Sequence, residues 1–163
     1  MTKAHPRSTC DLCDDHGSKL QILEPVFQSY GGVSAFFGAI ETIRCHEDNS
    51  RLREVLATRG AGRILVVDGG GSRRRALFGD QLGGKALSNN WAGLVIHGAV
   101  RDVQALSSLP IGVLALCAIP IRGERHDQGD VGVEVSFAGV RFVPGAMLYA
   151  DANGVIVSDS PVH

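Results

Sequence analysis

Three short runs with almost no polar residues constrain this chain more than any other feature. They are residues 63–68 (RILVVD), 91–97 (WAGLVIH) and 111–119 (IGVLALCAI). A strand that is apolar on both faces needs cover on both faces, which points to the inner strands of a layered α/β domain. Helical patterns flank and separate the runs. One opens at Asn49 or Ser50 and runs through SRLREVLATR, with Leu52, Val55 and Leu56 on one face and Gly60 as its stop. A second spans Asp80 to about Asn89, weakened by Gly83 and Gly84, and a short third covers 102–107.

The flanking segments read differently. Ser8 or Thr9 caps a first short helix that carries Asp11, Asp14 and Asp15 and ends at Gly17. Residues 20–24 form a strand broken by Pro25. Residues 37–46 form a longer one, with Ile43 and Cys45 opposite Thr42 and Arg44. After Pro120 comes a polar, glycine-bearing surface loop at 122–130 (RGERHDQGD), open to motion. Short alternating runs follow, joined by Ala138-Gly139, Pro144-Gly145 and Asn153-Gly154. The last is a hairpin signal, with Asn153 and Gly154 supplying positive φ. The expected architecture is α/β: one domain over 1–163, a mixed three-layer β/β/α arrangement whose last third is antiparallel β.

Composition excludes several classes. A chain of 163 residues buries a core without disulfide staples, and its 21 glycines imply tight turns. A formal net charge of −1 argues against a nucleic-acid-binding surface, so no direct nucleic-acid partner is expected. There is no run of about 18 apolar residues for a membrane span, nor an apolar secretory core near the start; the cytoplasm is the expected location. Cys10 and Cys13 have C-x-x-C spacing, but no second pair accompanies them, and only His16, Cys45 and His46 could be recruited. They read as two small side chains facing the core from one short helix. Asp151-Ala152-Asn153-Gly154 spells the opening of a calcium loop but lacks its later ligands and glutamate.

The chemistry concentrates between Asp68 and Asp102. Gly69-Gly70-Gly71 follows a strand, yet Ser72-Arg73-Arg74-Arg75 replaces both the Gly-Lys-Ser/Thr ending of a P-loop and the third glycine of a dinucleotide fingerprint. A turn packed too tightly for side chains explains the glycines. Alternation sends Arg74 opposite to Arg73 and Arg75, so the three do not all face one ligand. Gly79-Asp80-Gln81-Leu82 opens a helix, where free N–H groups and the dipole suit a carboxylate or phosphate; Asp80 also reads as a plain N-cap. Arg101 and Asp102 follow a buried strand. An arginine offers a bidentate clamp for a carboxylate, and an aspartate an oxygen ligand for a hard divalent cation, although Asp102 too can be a simple cap. The twenty residues between Asp80 and Arg101 suffice for a helix, a turn and a returning strand, which brings both ends to one pocket.

GGGS-x-RRALFGD at 69–80 and GAVRD at 98–102 carry a resemblance to the RraA-like family: regulator of ribonuclease E activity A and the class II 4-hydroxy-4-methyl-2-oxoglutarate aldolases. The family's Asp-x20-Arg-Asp signature is met by Asp80, Arg101 and Asp102. TCDLCDDHG, YGG, CHEDNS, FAGVRFVPG and YADANGVIVS extend the likeness over nearly the whole chain. The resemblance implies a swivelling-type β/β/α domain, a homotrimer or a dimer of trimers, and Mg²⁺ or Mn²⁺ as cofactor. It implies retro-aldol cleavage of a small 2-oxo acid and decarboxylation of oxaloacetate, both through a pyruvate enolate. By the same resemblance, Gly79, Asp80, Gln81 and Leu82 bind the substrate carboxylate through backbone groups. Arg101 binds the oxo-acid end, Asp102 ligates the metal, and Asp80 holds metal-bound water. The alternatives are a regulator that binds and inhibits ribonuclease E with a vestigial site, or another small-acid enzyme on the same scaffold.

Overall fold

The computed structural model of the protein describes residues 5–163. In chain order its elements are α1 (Thr9–His16), β1 (Leu20–Ile22), β2 (Gln28–Ser29), β3 (Phe36–Arg44), α2 (Ser50–Leu56), β4 (Ile64–Asp68), β5 (Ala76–Phe78), α3 (Asp80–Ser88), β6 (Gly93–Val100), α4 (Val103–Leu106), β7 (Gly112–Ala118), β8 (Asp130–Val131), β9 (Val135–Phe137), β10 (Val140–Phe142), β11 (Met147–Asp151) and β12 (Gly154–Ser158). The three apolar runs are β4, β6 and β7. They lie in parallel register with one another and with β3, for example Val66 opposite both Thr42 and Val95.

Strand β3 divides its hydrogen bonds among β11, β4 and, at Ile43 and Arg44, the short strand β8. Residues 36–39 pair antiparallel with β11, and 40–44 pair parallel with β4. The sheet order β1-β12-β11-β3-β4-β6-β7-β2 therefore passes from an antiparallel to a parallel half within one strand. Alternation then sorts the core. Ile43, Leu65, Val67, Leu94, Ile96 and Val113 face the helices, against Leu52, Leu56, Leu82, Ala86 and Leu106. Ile40, Ile64, Val66 and Val95 face the other way, against Phe137, Val140, Phe142, Leu148, Val155 and Val157. This is the expected β/β/α layering. Helix α1 adds a further layer, packing Leu12 against Tyr149, Ile156 and Val162 on the outer face of the β11–β12 hairpin.

Two glycines fix where the layers meet. Gly93 of β6 and Gly112 of β7 are register partners, and the Phe36 ring lies across both. A Cβ on Gly93 would stand 2.6 Å from the ring, and one on Gly112 would be closer still. Two adjacent strands without side chains thus make a slot for one buried aromatic.

Several sequence expectations need correction. Helix α2 ends at Leu56 rather than near Arg59, and Val55 is only partly buried. Asn49 sits at its N-cap without a side-chain bond; Asp48 Oδ1 instead accepts from the Ser50 N–H at 2.9 Å. Cys10 is exposed, so the two cysteines do not both face the core; Thr9 and Leu12 do. In the last hairpin Asp151 pairs with Gly154, so the turn is Ala152-Asn153, and only Gly154 has positive φ. The reason is that Asp151 Oδ1 accepts from the Asn153 N–H at 2.9 Å, while the same carboxylate takes the Thr9 N–H and hydroxyl at 2.8 and 2.7 Å. The loop after Pro120 is pinned rather than open to motion. Ala76 N–H donates to Ile121 O at 2.7 Å, Glu124 N–H to Glu47 O at 2.8 Å, and His126 N–H to Asp48 Oδ2 at 2.6 Å. Among the described residues, no helix is long and apolar enough to cross a membrane.

Overpacking predicts the weight of the aromatic slot. Gly112→Ala should lower the unfolding free energy by about 1–3 kcal/mol in urea titrations. The same substitution in a Phe36→Ala background should cost clearly less, because no ring then opposes the new methyl.

Candidate active site

The carboxyl ends of the parallel strands form one rim, the place where open α/β sheets bind ligands. Strand β6 gains one residue relative to β7 between Ile96 and Ala99, a bulge just before it delivers Arg101 and Asp102. Strand β5 pairs with the far end of β6 and hands directly into α3. The Arg101 N–H donates to Phe78 O at 2.9 Å, and the Asp80 N–H donates to Asp102 Oδ2 at 3.2 Å. The two segments that the Asp-x20-Arg-Asp spacing places together are therefore bonded to each other.

Each predicted residue has a definite position. Gly79, extended at φ −151°, is the N-cap of α3, so Asp80 is the first helical residue and not the cap. The N–H groups of Gln81 and Leu82 have no acceptor among the described residues, while the Leu82 side chain turns into the core. Asp102 precedes α4 in the left-handed conformation at φ +56° and makes no cap bond there; its carboxylate reaches across to α3 instead. Arg101 Nε lies 3.9 Å from Asp102 Oδ2, and both side chains are a little over one-third exposed. A Cβ on Gly79 would stand 2.5 Å from Asp102 Oδ2 and 3.2 Å from Arg101 Cγ. Glycine at 79 is thus required by close approach rather than by its dihedral angles.

These residues line a cleft of about 230 Å³ that the sequence describes incompletely. Its walls include Asn49 and Arg53 from the α2 end and Arg122 and Arg125 from the loop after β7. None of these four reads as a site residue in the sequence, where Asn49 is a candidate helix cap, Arg53 lies on a helix surface and the other two on a polar loop. The available signal was position, since both segments follow carboxyl ends of parallel strands. Four guanidiniums, counting Arg101, face two carboxylates, so the cleft favours an anion. Arg74 and Arg75 are drawn off to Glu47 at 3.1 Å and Glu124 at 3.4 Å. The tight glycine turn is as expected, with a Cβ on Gly69 meeting Leu77 Cδ1 at 2.7 Å. Asn49 Oδ1 is buried and has no donor among the described residues.

The arginine loop is held by a buried acid. Asp48 is 3% exposed. Burial alone would push its carboxyl up, but hydrogen bonds from Ser50 and from the His126 N–H outweigh that and hold it below the usual aspartate range. At the other extreme, burial pushes the Cys45 thiol up to about 12, which leaves it protonated and a poor metal ligand at neutral pH. Among the described residues no group of three or more His, Cys, Asp or Glu side chains could hold a metal ion.

The model of the RraA-like family, described as Aldolase/RraA, matches residues 9–157. This chain belongs to the RraA-like family. A Xanthomonas campestris pv. campestris relative named "Putative 4-hydroxy-4-methyl-2-oxoglutarate aldolase" is 59% identical over 155 residues, 95% of this chain and 93% of that one. The RNA-processing inhibitor RraA from Thermus thermophilis superposes with a TM-score of 0.94 at 42% identity, covering 98% of this chain and 96% of that one. A Geobacillus kaustophilus HTA426 protein described as S-adenosylmethionine:2-dimethylmenaquinone methyltransferase also gives 0.94, at 45% identity, covering 96% and 97%. The RraA-like fold is thus shared by proteins whose names carry three different activities.

The depressed Asp48 carboxyl contributes stability that is present above the unfolded-state value near pH 3.9 and is lost as pH falls through its folded value. The stability advantage of the native protein over Asp48→Asn should therefore shrink between pH 6 and pH 3. Urea titrations at the two pH values measure it.

Proposed function

We propose that this protein is a divalent-metal-dependent lyase that cleaves 4-hydroxy-4-methyl-2-oxoglutarate and decarboxylates oxaloacetate. The observation that carries this reading is the meeting of Arg101, Asp102, Asp80 and two unpaired helix N–H groups in one anion-favouring cleft. The aldolase name of the Xanthomonas campestris relative supports it.

Mg²⁺ and Mn²⁺ take oxygen ligands and need only one or two protein carboxylates, with water and substrate completing the shell. Asp102 and Asp80 fit that requirement; a zinc site would need more nitrogen or sulfur donors than the cleft holds. Asp102 would ligate the ion and Asp80 would hold its water, and the ion when bound would polarise the 2-oxo group as a Lewis acid. The N–H groups of Gln81 and Leu82, with the dipole of α3, face the substrate's 1-carboxylate. Arg101 donates to the 2-oxo oxygen. When the C3–C4 bond breaks, its electron pair moves onto the pyruvyl half as an enolate, and Arg101 stabilises the charge on that oxygen. In the aldol substrate the 4-hydroxyl gives up its proton to water and the distal half leaves as a second pyruvate. In oxaloacetate the same electron pair is left by departing CO₂. Protonation at C3 then releases pyruvate. A homotrimer or a dimer of trimers belongs to the same proposal and is read by sedimentation.

A second reading is that the chain binds and restrains a ribonuclease E, and the likeness to the Thermus RraA favours it. The readings separate cleanly, since binding would survive Asp102→Ala in a pull-down and turnover would not.

Pyruvate release should require Mg²⁺ or Mn²⁺ and stop with EDTA. Arg101→Ala should reduce kcat by roughly 10²–10³ and Asp102→Ala should abolish the metal response. No pyruvate from either substrate would overturn the lyase reading. Gly79→Ala should lose roughly ten- to a hundredfold in kcat/KM while its melting temperature stays near that of the native protein, because the methyl displaces Asp102 and Arg101 rather than the core.

A further inference from the structure

The function proposed above leaves Cys10 and Cys13 unused. They share one turn of α1, and both line a groove of about 680 Å³ between that helix, β1 and the β11–β12 hairpin. Cys10 is exposed, whereas Cys13 is half-buried and packs against Leu12, Tyr149, Ile156 and Val162. The other two cysteines belong to other elements: Cys45 is buried in the layer facing the helices, and Cys117 is carried by β7.

The two thiols are placed for different parts in one reaction. A thiol is oxidised where an oxidant can reach it, and Cys10 is open to solvent and to the groove. Burial pushes the Cys13 thiol up, and its neighbour Cys10 pushes it the same way, so at neutral pH it stays protonated. Residues three apart on an α-helix have Cβ atoms roughly 5–6 Å apart, whereas a disulfide needs roughly 3.5–4.5 Å. The first turn closes that gap by tightening toward a 3₁₀ form, in which such residues eclipse. The base of the turn is fixed, since the Thr9 N–H and hydroxyl both donate to Asp151 and the Asp11 N–H donates to Ser8 Oγ. Leu12 is fully buried beneath it. Cys10, with its side chain in solvent, is therefore the residue that moves. A bond made against the helical geometry is readily reopened by a dithiol.

We propose that Cys10 and Cys13 are a reversible oxidation site that takes a hydroperoxide as oxidant and closes as a disulfide within α1. The Cys10 sulfur attacks the terminal peroxide oxygen and the O–O bond breaks. The thiol's proton leaves with the departing oxygen as water or an alcohol, and Cys10 becomes a sulfenic acid. The Cys13 sulfur then attacks the Cys10 sulfur, the S–O bond breaks, and the hydroxyl departs with the Cys13 proton as water. Two thiols lose two electrons in all and one hydroperoxide gains them. A dithiol reverses the change by exchange.

The test is thiol counting by mass spectrometry. Trypsin cleaves after Arg7 and Lys19, and the peptide 8–19 holds both thiols and no other cysteine. The folded protein is treated with hydrogen peroxide at a dose that oxidises the same concentration of glutathione, then freed of peroxide, denatured and alkylated with iodoacetamide. Peptide 8–19 should carry no label and be lighter by two hydrogens than its reduced form, and dithiothreitol before alkylation should restore both labels. Cys13→Ser should stop at the sulfenic acid, trapped on Cys10 by dimedone, and Cys10→Ser should keep its label at Cys13. Circular dichroism checks that both variants fold. Buried Cys45, its thiol pushed up to about 12, should stay fully labelled throughout. Retention of both labels by the native protein overturns the proposal, as does a loss that dithiothreitol does not reverse. Equal loss in Cys10→Ser, equal oxidation of Cys45, or a disulfide between chains on a non-reducing gel overturns it too.

Discussion

Strand β3 is hydrogen-bonded to an antiparallel neighbour at its start and a parallel one at its end, and the layered structure depends on that change of partner. Because the backbone ladder continues through it, the β11–β12 hairpin and the parallel strands belong to one sheet. Phe36 opens the strand and enters the slot made by Gly93 and Gly112, so the partner change is anchored where β6 and β7 begin. Their opposite ends are then free to carry chemistry. The glycine slot thus lies at one end of the parallel strands and the candidate cleft at the other, where open α/β sheets bind ligands.

At the functional edge, the backbone does much of the positioning. The Arg101 N–H is spent on Phe78 and the Asp80 N–H on Asp102, so residues distant in sequence are tied by ordinary hydrogen bonds before any ligand arrives. The side chains that remain available share a small cleft with the unpaired start of α3. Such an arrangement loses little entropy on binding, since the groups are already oriented.

The architecture was readable in the sequence where burial is two-sided. β4, β6 and β7 show as uninterrupted apolar runs because neither face meets water, and Asp80, Arg101 and Asp102 could be brought together because helix, turn and strand lengths are nearly fixed. What escaped depends on side chains that reach across the chain. Asp48 bonds to a backbone 78 residues away, and without that contact Arg122 and Arg125 look like solvated loop charges. Both cap readings failed for the same reason: Gly79 caps α3, while Asp102 spends its carboxylate on another helix. The last hairpin turns one residue earlier than Asn153-Gly154 because Asp151 accepts from the Asn153 N–H while the same carboxylate anchors α1. Local propensity has no access to such contacts.

Asp102 occupies the left-handed backbone region, which aspartate and asparagine visit more readily than most residues but glycine adopts at no steric cost. Replacement by glycine at this position would relieve the backbone while deleting the carboxylate. The site is therefore held against the local stability gradient, and neutral drift in a protein that needed only its outer surface would tend to erase it. A binding-only descendant of this fold would be expected to lose this acid early, whereas a lyase must keep it and bear the strain. Under the proposed lyase reading, position 102 is where the two proposed functions would part.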